Sequence, residues 1–263
     1  MNSDVELALD CKGLSKRFGR IMALNRFSLK IKRGCVFGLL GPNGAGKTTF
    51  IRICKGILRP TEGEVLVRGL SVREYPERIK AITGLLPENA TLFPRLTAKE
   101  YLNLIGALYK LSKSKRERTI DKFLAAFDLK GRPNDLLEVY SQGMKQKVMI
   151  IGTLLHDPEI VFLDDPFNSL DVRSSQTLRN LLVIFRKEHK TVIICSHIIP
   201  IVEDVCDEVA IINLGRLIAQ GSPTQLMEEQ DSKSLEEAYL QFLPEEVSSQ
   251  NLEDLYENSN ESF

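Results

Sequence analysis

The chain has 263 residues, 43% hydrophobic and 27% charged, and its 35 basic and 35 acidic side chains leave no net charge. That make-up suits a globular chain with room for one large domain or two small ones. No apolar run approaches the ~18 residues that cross a bilayer, the acidic start MNSDVELALD lacks a secretory leader's basic and apolar regions, and the five cysteines show no CxxC or other metal-ligand spacing. A reducing cytoplasm is expected, with a separate partner supplying the membrane if the protein works at one.

The neutral total hides an asymmetry. Residues 226–263 hold eleven acidic residues and one lysine, which leaves 34 basic against 24 acidic residues in the remainder. Such a tail reads as a solvated extension.

In chain order, the opening third reads as strands broken by turns. FSLKI (27–31) and GEVLVRG (63–69) alternate, while CVFGLLG (35–41) is a short, nearly continuous apolar run. Between the last two lies GKTTFIRICKGIL, whose apolar positions 50, 51, 53, 54, 57 and 58 fit one helical face. From Thr97 to Leu155 only helical patterns appear, the first opened by Thr97 and Glu100 as a capping box. The basic run KSKRER (113–118) is expected to be the solvated face of an amphipathic helix, with no nucleic acid as partner.

Strand and helix then alternate. IVFLD (160–164) is a strand, 172–189 a helix, TVIICS (191–196) a strand and IIPIVEDVCD (198–207) a helix, and EVAIINLGRLIAQG forms a hairpin around Asn213–Gly215. Apolar strands alternating with helices imply a mostly parallel sheet covered on both faces. One more helix is expected in SLEEAYLQFL, with Ser234 and Glu237 as its capping box, and little order after Leu243.

The chemistry starts at GPNGAGKT (41–48), which fits G-x-x-x-x-G-K-[ST] and sits directly between an apolar strand and a helix. Gly41, Gly44 and Gly46 let the backbone curl so that its N–H groups point at phosphate oxygens, beside the positive end of the helix. Lys47 is then placed to reach the β- and γ-phosphates and the Thr48 hydroxyl to ligate Mg²⁺. The segment implies a nucleoside triphosphate site. Such a site needs a second strand ending in an acid that holds the magnesium; IVFLD supplies Asp164. Asp165 needs another role, since one octahedral metal has little room for both. Capping the turn before Pro166 is the plain alternative.

Several further segments complete a pattern. YSQGMKQK (140–147) opens a helix before the Asp164 strand, NSLD (168–171) follows that strand, and CSH (195–197) ends the next one. LLPENATLFPRLTAKE (85–100) leads into the helical block, and KRFG (16–19) carries an aromatic, Phe18. Singly, Phe18 reads as core and His197 as a satisfied polar residue. Together and in this order, they make the chain from about residue 8 to 225 resemble the ATP-binding subunit of ABC transporters, in the branch that exports drugs, antibiotics or sodium.

That resemblance implies an α/β fold with a P-loop NTPase core on a mostly parallel sheet, an antiparallel β subdomain and an inserted all-helical subdomain. It divides the chain into a core at 1–92 and 156–225, a helical subdomain at 93–155 and an acidic extension at 226–263. It implies ATP and Mg²⁺ as cofactors, with Gly41, Pro42, Asn43, Gly44, Ala45, Gly46, Lys47, Thr48 and Thr49 around the phosphates and Phe18 stacked on the adenine. Thr48, Asp164 and Glu88 would serve the metal, and His197 the γ-phosphate.

It further implies a homodimer or heterodimer in which each ATP also meets Ser141, Gln142, Gly143 and Met144 of the opposing subunit, with Asp171 helping to organise that site. A separate transmembrane permease would dock near Glu88 to Thr97, placing the protein on the cytoplasmic face of the membrane. There Leu92 and Phe93 either face the partner or pack inward.

Three departures stand out. The signature reads Tyr-Ser-Gln-Gly-Met where the family has Leu-Ser-Gly-Gly-Gln, Glu88 stands where glutamine is usual, and Asp165 replaces the glutamate that positions the attacking water. The shorter acid implies slow hydrolysis. A weakly hydrolysing half of a heterodimer and a soluble non-transport ABC ATPase are the competing readings.

Overall fold

The computed structural model describes residues 6–88 and 92–243. Its first sheet is antiparallel. Strands β1 (Leu7–Phe18) and β2 (Ile21–Lys32) form a long hairpin, and after β3 (Val36–Leu40) and helix α1 (Lys47–Cys54), β4 (Glu62–Val67) and the short β5 (Leu70–Ser71) complete the order β2-β1-β4-β5. Helix α2 (Pro76–Ile82) leads to β6 (Thr83–Leu86), the far edge of a second, six-stranded sheet.

Three helices follow, α3 (Ala98–Leu108), α4 (Lys113–Ala126) and α5 (Gln142–Leu154). Then come β7 (Ile160–Asp164), α6 (Val172–Lys187), β8 (Thr191–Cys195), α7 (Ile199–Val205), the hairpin β9 (Glu208–Asn213) and β10 (Arg216–Gly221), and finally α8 (Pro223–Glu229) and α9 (Leu235–Phe242). The second sheet runs β10-β9-β3-β8-β7-β6, parallel except for β10. The expected mixed α/β fold is borne out.

The core explains the continuous apolar strands. Successive side chains of a strand point to opposite faces. In β7, Val161 and Leu163 join the core under α5, α6 and α7, while Ile160 and Phe162 join the core under α1 and the antiparallel sheet. Strand β8 divides likewise, with Val192 and Ile194 on one side and Ile193 and Cys195 on the other. Both faces are covered, so neither strand carries a polar alternation. On the α1 side, Phe27 and Phe50 meet edge to face with ring centres 5.2 Å apart.

Register places the chemistry. Leu39 pairs with Cys195, Cys195 with Asp164, and Leu86 with Leu163. The loops after β3, β6, β7 and β8 therefore leave one edge together, the carboxyl end of the parallel strands, where open α/β sheets bind ligands.

Helix caps are partly as expected. Thr97 and Glu100 form the full reciprocal box, and Thr97→Ala is expected to lower stability by about 1 kcal/mol, read from the urea midpoint. At α9 only half of the predicted box forms. The Ser234 hydroxyl accepts from Glu237 N, but the Glu237 carboxylate turns to Lys233 N at 2.8 Å. The segment after Leu243 lies outside the described residues, as do positions 89–91.

Candidate functional site

The loop between β3 and α1 is a cradle of backbone donors. Gly46 has φ 113°, and a Cβ there would lie 2.5 Å from Ala23 O of β2. Only glycine lets the chain turn into the helix while touching the neighbouring strand. Among the described residues, the N–H groups of Gly44, Gly46, Lys47, Thr48 and Thr49 have no acceptor, so at the positive end of α1 they form a nest for an anion. Lys47 Nζ straps the loop by donating to Gly41 O at 2.6 Å and Pro42 O at 3.1 Å. Phosphate oxygens arriving in the cradle would take over those donors.

The strand end opposite presents the two aspartates in different settings. Asp164 is buried, and its carboxylate accepts from the Thr48 hydroxyl at 3.1 Å. Burial, reinforced by the charges of Asp165 and Glu88, pushes its pKa up to about 6, against the Thr48 bond and the Lys47 charge. A buried carboxylate with no cation at bonding distance among the described residues, touching a hydroxyl at the helix start, suits a hard divalent cation. Among the described residues, no three His, Cys, Asp or Glu side chains could hold a metal alone. The fit is therefore to a metal that arrives with phosphate oxygens as its remaining ligands.

Asp165 takes a left-handed φ of 47°, which aspartate tolerates better than most residues. Its Oδ1 accepts from His197 N at 3.2 Å and lies 2.9 Å from His197 Nδ1. Its carboxylate is thus held against the end of β8, while the imidazole stays 60% exposed.

The remaining expected residues sit apart from this centre. Ser141 caps α5, its hydroxyl oxygen accepting from Met144 N at 3.2 Å, with Gln142 and Gly143 opening the helix. Gly143 is tightly placed, since a Cβ there would lie 2.5 Å from Ser169 O. Asp171 caps α6 through Ser174 N at 2.8 Å and pairs with the buried Lys147 of α5 at 2.8 Å. Lys147 first, then the Ser174 N–H, holds its carboxyl well below the usual range. Gln146 adds a bond from α5 to Pro166 O at 3.2 Å. Helix α5 and the 166–171 loop are therefore one braced unit. Phe18 is half-exposed at the tip of the β1–β2 hairpin, with Lys16 Nζ 5.0 Å from its ring centre.

Two cavities flank the phosphate loop. One, about 280 Å³, is lined by Asn43 to Thr49 with Ala23, Glu88, Asp164 and Asp165. The other, about 270 Å³, lies against Leu40 to Asn43 and is closed by Glu88, Asp165, Ser196, His197, Ile199 and Tyr239. Phe18, Ser141 to Met144 and Asp171 line neither. Tyr239 was missed in the sequence. Its helix is readable, with Leu235, Ala238, Tyr239 and Phe242 at i, i+3, i+4 and i+7, but nothing local says where that face docks.

Comparison with known proteins places this geometry. The family described as ABC transporter matches residues 24–168. ABC transporter ATP-binding protein NatA of Bacillus subtilis is 35% identical over 229 residues, 87% of this chain and 93% of that protein. Linearmycin resistance ATP-binding protein LnrL of the same organism is 33% identical over 218 residues, covering 83% and 70%. Among solved structures, an ATP-binding subunit of an ABC transporter superposes with TM-score 0.84 at 30% identity, covering 89% of this chain and 99% of that one. The ATP-binding cassette MJ0796, a dimer bound to ADP and Pi in a post-hydrolysis state, superposes with TM-score 0.74 at 25% identity, covering 81% and 98%.

Proposed function

This chain belongs to the ABC transporter family as an ATP-binding subunit, and we propose that it is the ATP-hydrolysing motor of an exporter, working as a dimer on a separate transmembrane partner. The observation that carries the reading is the cradle itself, five backbone N–H groups without acceptors among the described residues, with Lys47 and the Thr48–Asp164 pair at its two ends. The likeness to LnrL, a resistance protein by name, supports export as the direction.

Each side chain then has a task. The loop amides and Lys47 hold the phosphates, and Phe18 offers a ring for the base. Thr48 and Asp164, with Glu88 nearby, hold Mg²⁺, which when bound neutralises charge on the terminal phosphates. His197 faces the terminal phosphate and Asp165 orients the water, from a carboxylate already drawn toward His197. Ser141 to Met144 and Asp171 serve the nucleotide held by the opposing subunit.

For the membrane partner, the segment Glu88 to Thr97 is the favoured dock. Leu92 is buried at 8% exposure but Phe93 is 57% exposed, so the pair divides the two roles expected of it. Leu137 N donates to Leu96 O and Glu138 N to Pro94 O, which brings the exposed Leu136 and Val139 alongside. An apolar patch of this kind suits a partner's helix. No described helix is long and apolar enough to cross a membrane, and attachment to its cytoplasmic face would run through that partner.

The engaged Asp165 carboxylate also favours a second reading, the weakly hydrolysing half of a heterodimer. Turnover by the purified homodimer separates the two, since a regulatory half alone would hardly turn over. The reading as a whole is tested by calorimetry with Mg²⁺ and ATP. Binding is expected, and Lys47→Ala should weaken it at least about tenfold by removing a charge-assisted donor. Absence of binding, or a Lys47→Ala protein with undiminished affinity, would overturn it.

A further inference from the structure

The second cavity beside the phosphate loop has a wall that the family match does not cover. Residues 24–168 carry the match, whereas Tyr239 comes from α9, near the end of the described chain, and reaches the rim shared with Gly41, Asn43, Glu88, Asp165 and His197. Its position is fixed. Leu235 and Ala238 are fully buried, and Leu235 N donates to the Glu203 carboxylate of α7 at 3.0 Å. Helix α7 starts two residues after His197, and its Ile199 lines the same cavity. The helix that bears Tyr239 and the segment that bears His197 are therefore docked on each other.

The cavity also has an electrostatic deficit that Tyr239 can meet. Asn43, Glu88 and Asp165 line both cavities, so a terminal phosphoryl group projecting from the first into the second would face two carboxylates. Donors are needed on that side, and the phenol is one. Its hydroxyl has no hydrogen-bond partner among the described residues, and burial pushes its pKa up, so the proton stays available. A donor without a partner among the described residues, on a fixed helix at the edge of a cavity, is suited to an incoming anion.

Resting on the nucleotide reading above, we infer that Tyr239 is a further nucleotide-binding residue whose phenolic O–H donates to an oxygen of the terminal phosphoryl group, so that α9 distinguishes ATP from ADP. The phenol contributes nothing to the inner phosphates, which the loop amides and Lys47 already hold. Loss of the hydroxyl should therefore weaken binding of the triphosphate alone.

The test is calorimetric titration of wild-type and Tyr239→Phe protein with a non-hydrolysable ATP analogue and with ADP, each with Mg²⁺, alongside thermal denaturation. The expected result is an analogue affinity lowered about tenfold, an unchanged ADP affinity and an unchanged melting temperature. Equal affinity of both proteins for the analogue would overturn the inference, as would a parallel loss for analogue and ADP, which marks Tyr239 as packing only. Wild-type protein that binds neither nucleotide would instead remove the underlying site, a result distinct from either of these.

Discussion

Asp165→Glu should raise steady-state ATP turnover by about tenfold to 10²-fold on the motor reading proposed above, in which an acid one methylene shorter than the usual glutamate has to orient the attacking water. The backbone cannot advance to compensate. Asp165 N donates to Cys195 O at 2.8 Å, Asn168 N donates to Asp165 O at 3.3 Å, and the residue sits at φ 47°. Meanwhile its Oδ1 is held back by His197 N and Nδ1. One added methylene carries the carboxylate about 1.3 Å farther, beyond that tether and toward the cavities whose lining Asp165 joins. Glutamate is less at ease than aspartate in the left-handed region, so a slightly lower melting temperature should accompany the faster rate. Phosphate release measured at saturating ATP decides the matter, and turnover equal to or below wild type at unchanged ATP affinity counts against this account.

Asp164→Asn should do the opposite on both counts, costing about 10²–10³-fold in Mg²⁺-dependent turnover while making the nucleotide-free protein more stable at pH 8. The sign follows from where the carboxyl titrates. Burial lifts it from 3.8 to about 6 in the folded chain, so the native state holds its proton more tightly than the unfolded state does. Folding thus loses stability as pH rises from about 4 to about 6, and the deficit is complete above that window. Asp164, though buried, lines the first cavity, where water can reach it, which limits the recoverable amount to about 1–2 kcal/mol, or roughly 2–6 °C in melting temperature for a chain of this size. Thr48 keeps an oxygen to bond in the amide variant. Denaturation at pH 8 and pH 5 tests it, since the variant's advantage should shrink at the lower pH; an Asn variant that is less stable at pH 8 would contradict the assignment.

What could be read from the sequence divides along physical lines. Strands β3, β7 and β8 are buried on both faces and announce themselves as apolar runs, and the hairpin at Asn213–Gly215 is punctuated by a glycine at φ 73°. Strand β1 was not legible. Register shifts at Cys11/Leu14, Leu14/Lys16 and Lys16/Arg17 break its alternation, so its buried residues fall out of period. Strand β6 is four residues at a sheet edge, too short for any period to establish itself. Helix α8 did carry signals, with Ser222 and Gln225 as a full capping box and Pro223 at its first turn, but seven residues leave only two buried positions to count. The phosphate loop was readable because its chemistry is local. The Asp165–His197 contact and the docking of Tyr239 join residues 32 and more positions apart, and only the sheet and the α7–α9 packing bring them together.

The serine that opens α5 has its polarity decided before any nucleotide arrives. Its oxygen gives one lone pair to the Met144 N–H, and its hydrogen remains to be donated outward. A neutral hydroxyl can donate to an oxyanion without itself titrating, so what this cap offers does not change across the whole physiological pH range. The carboxyl of Asp164, whose pKa burial pushes up to about 6, does not share that constancy.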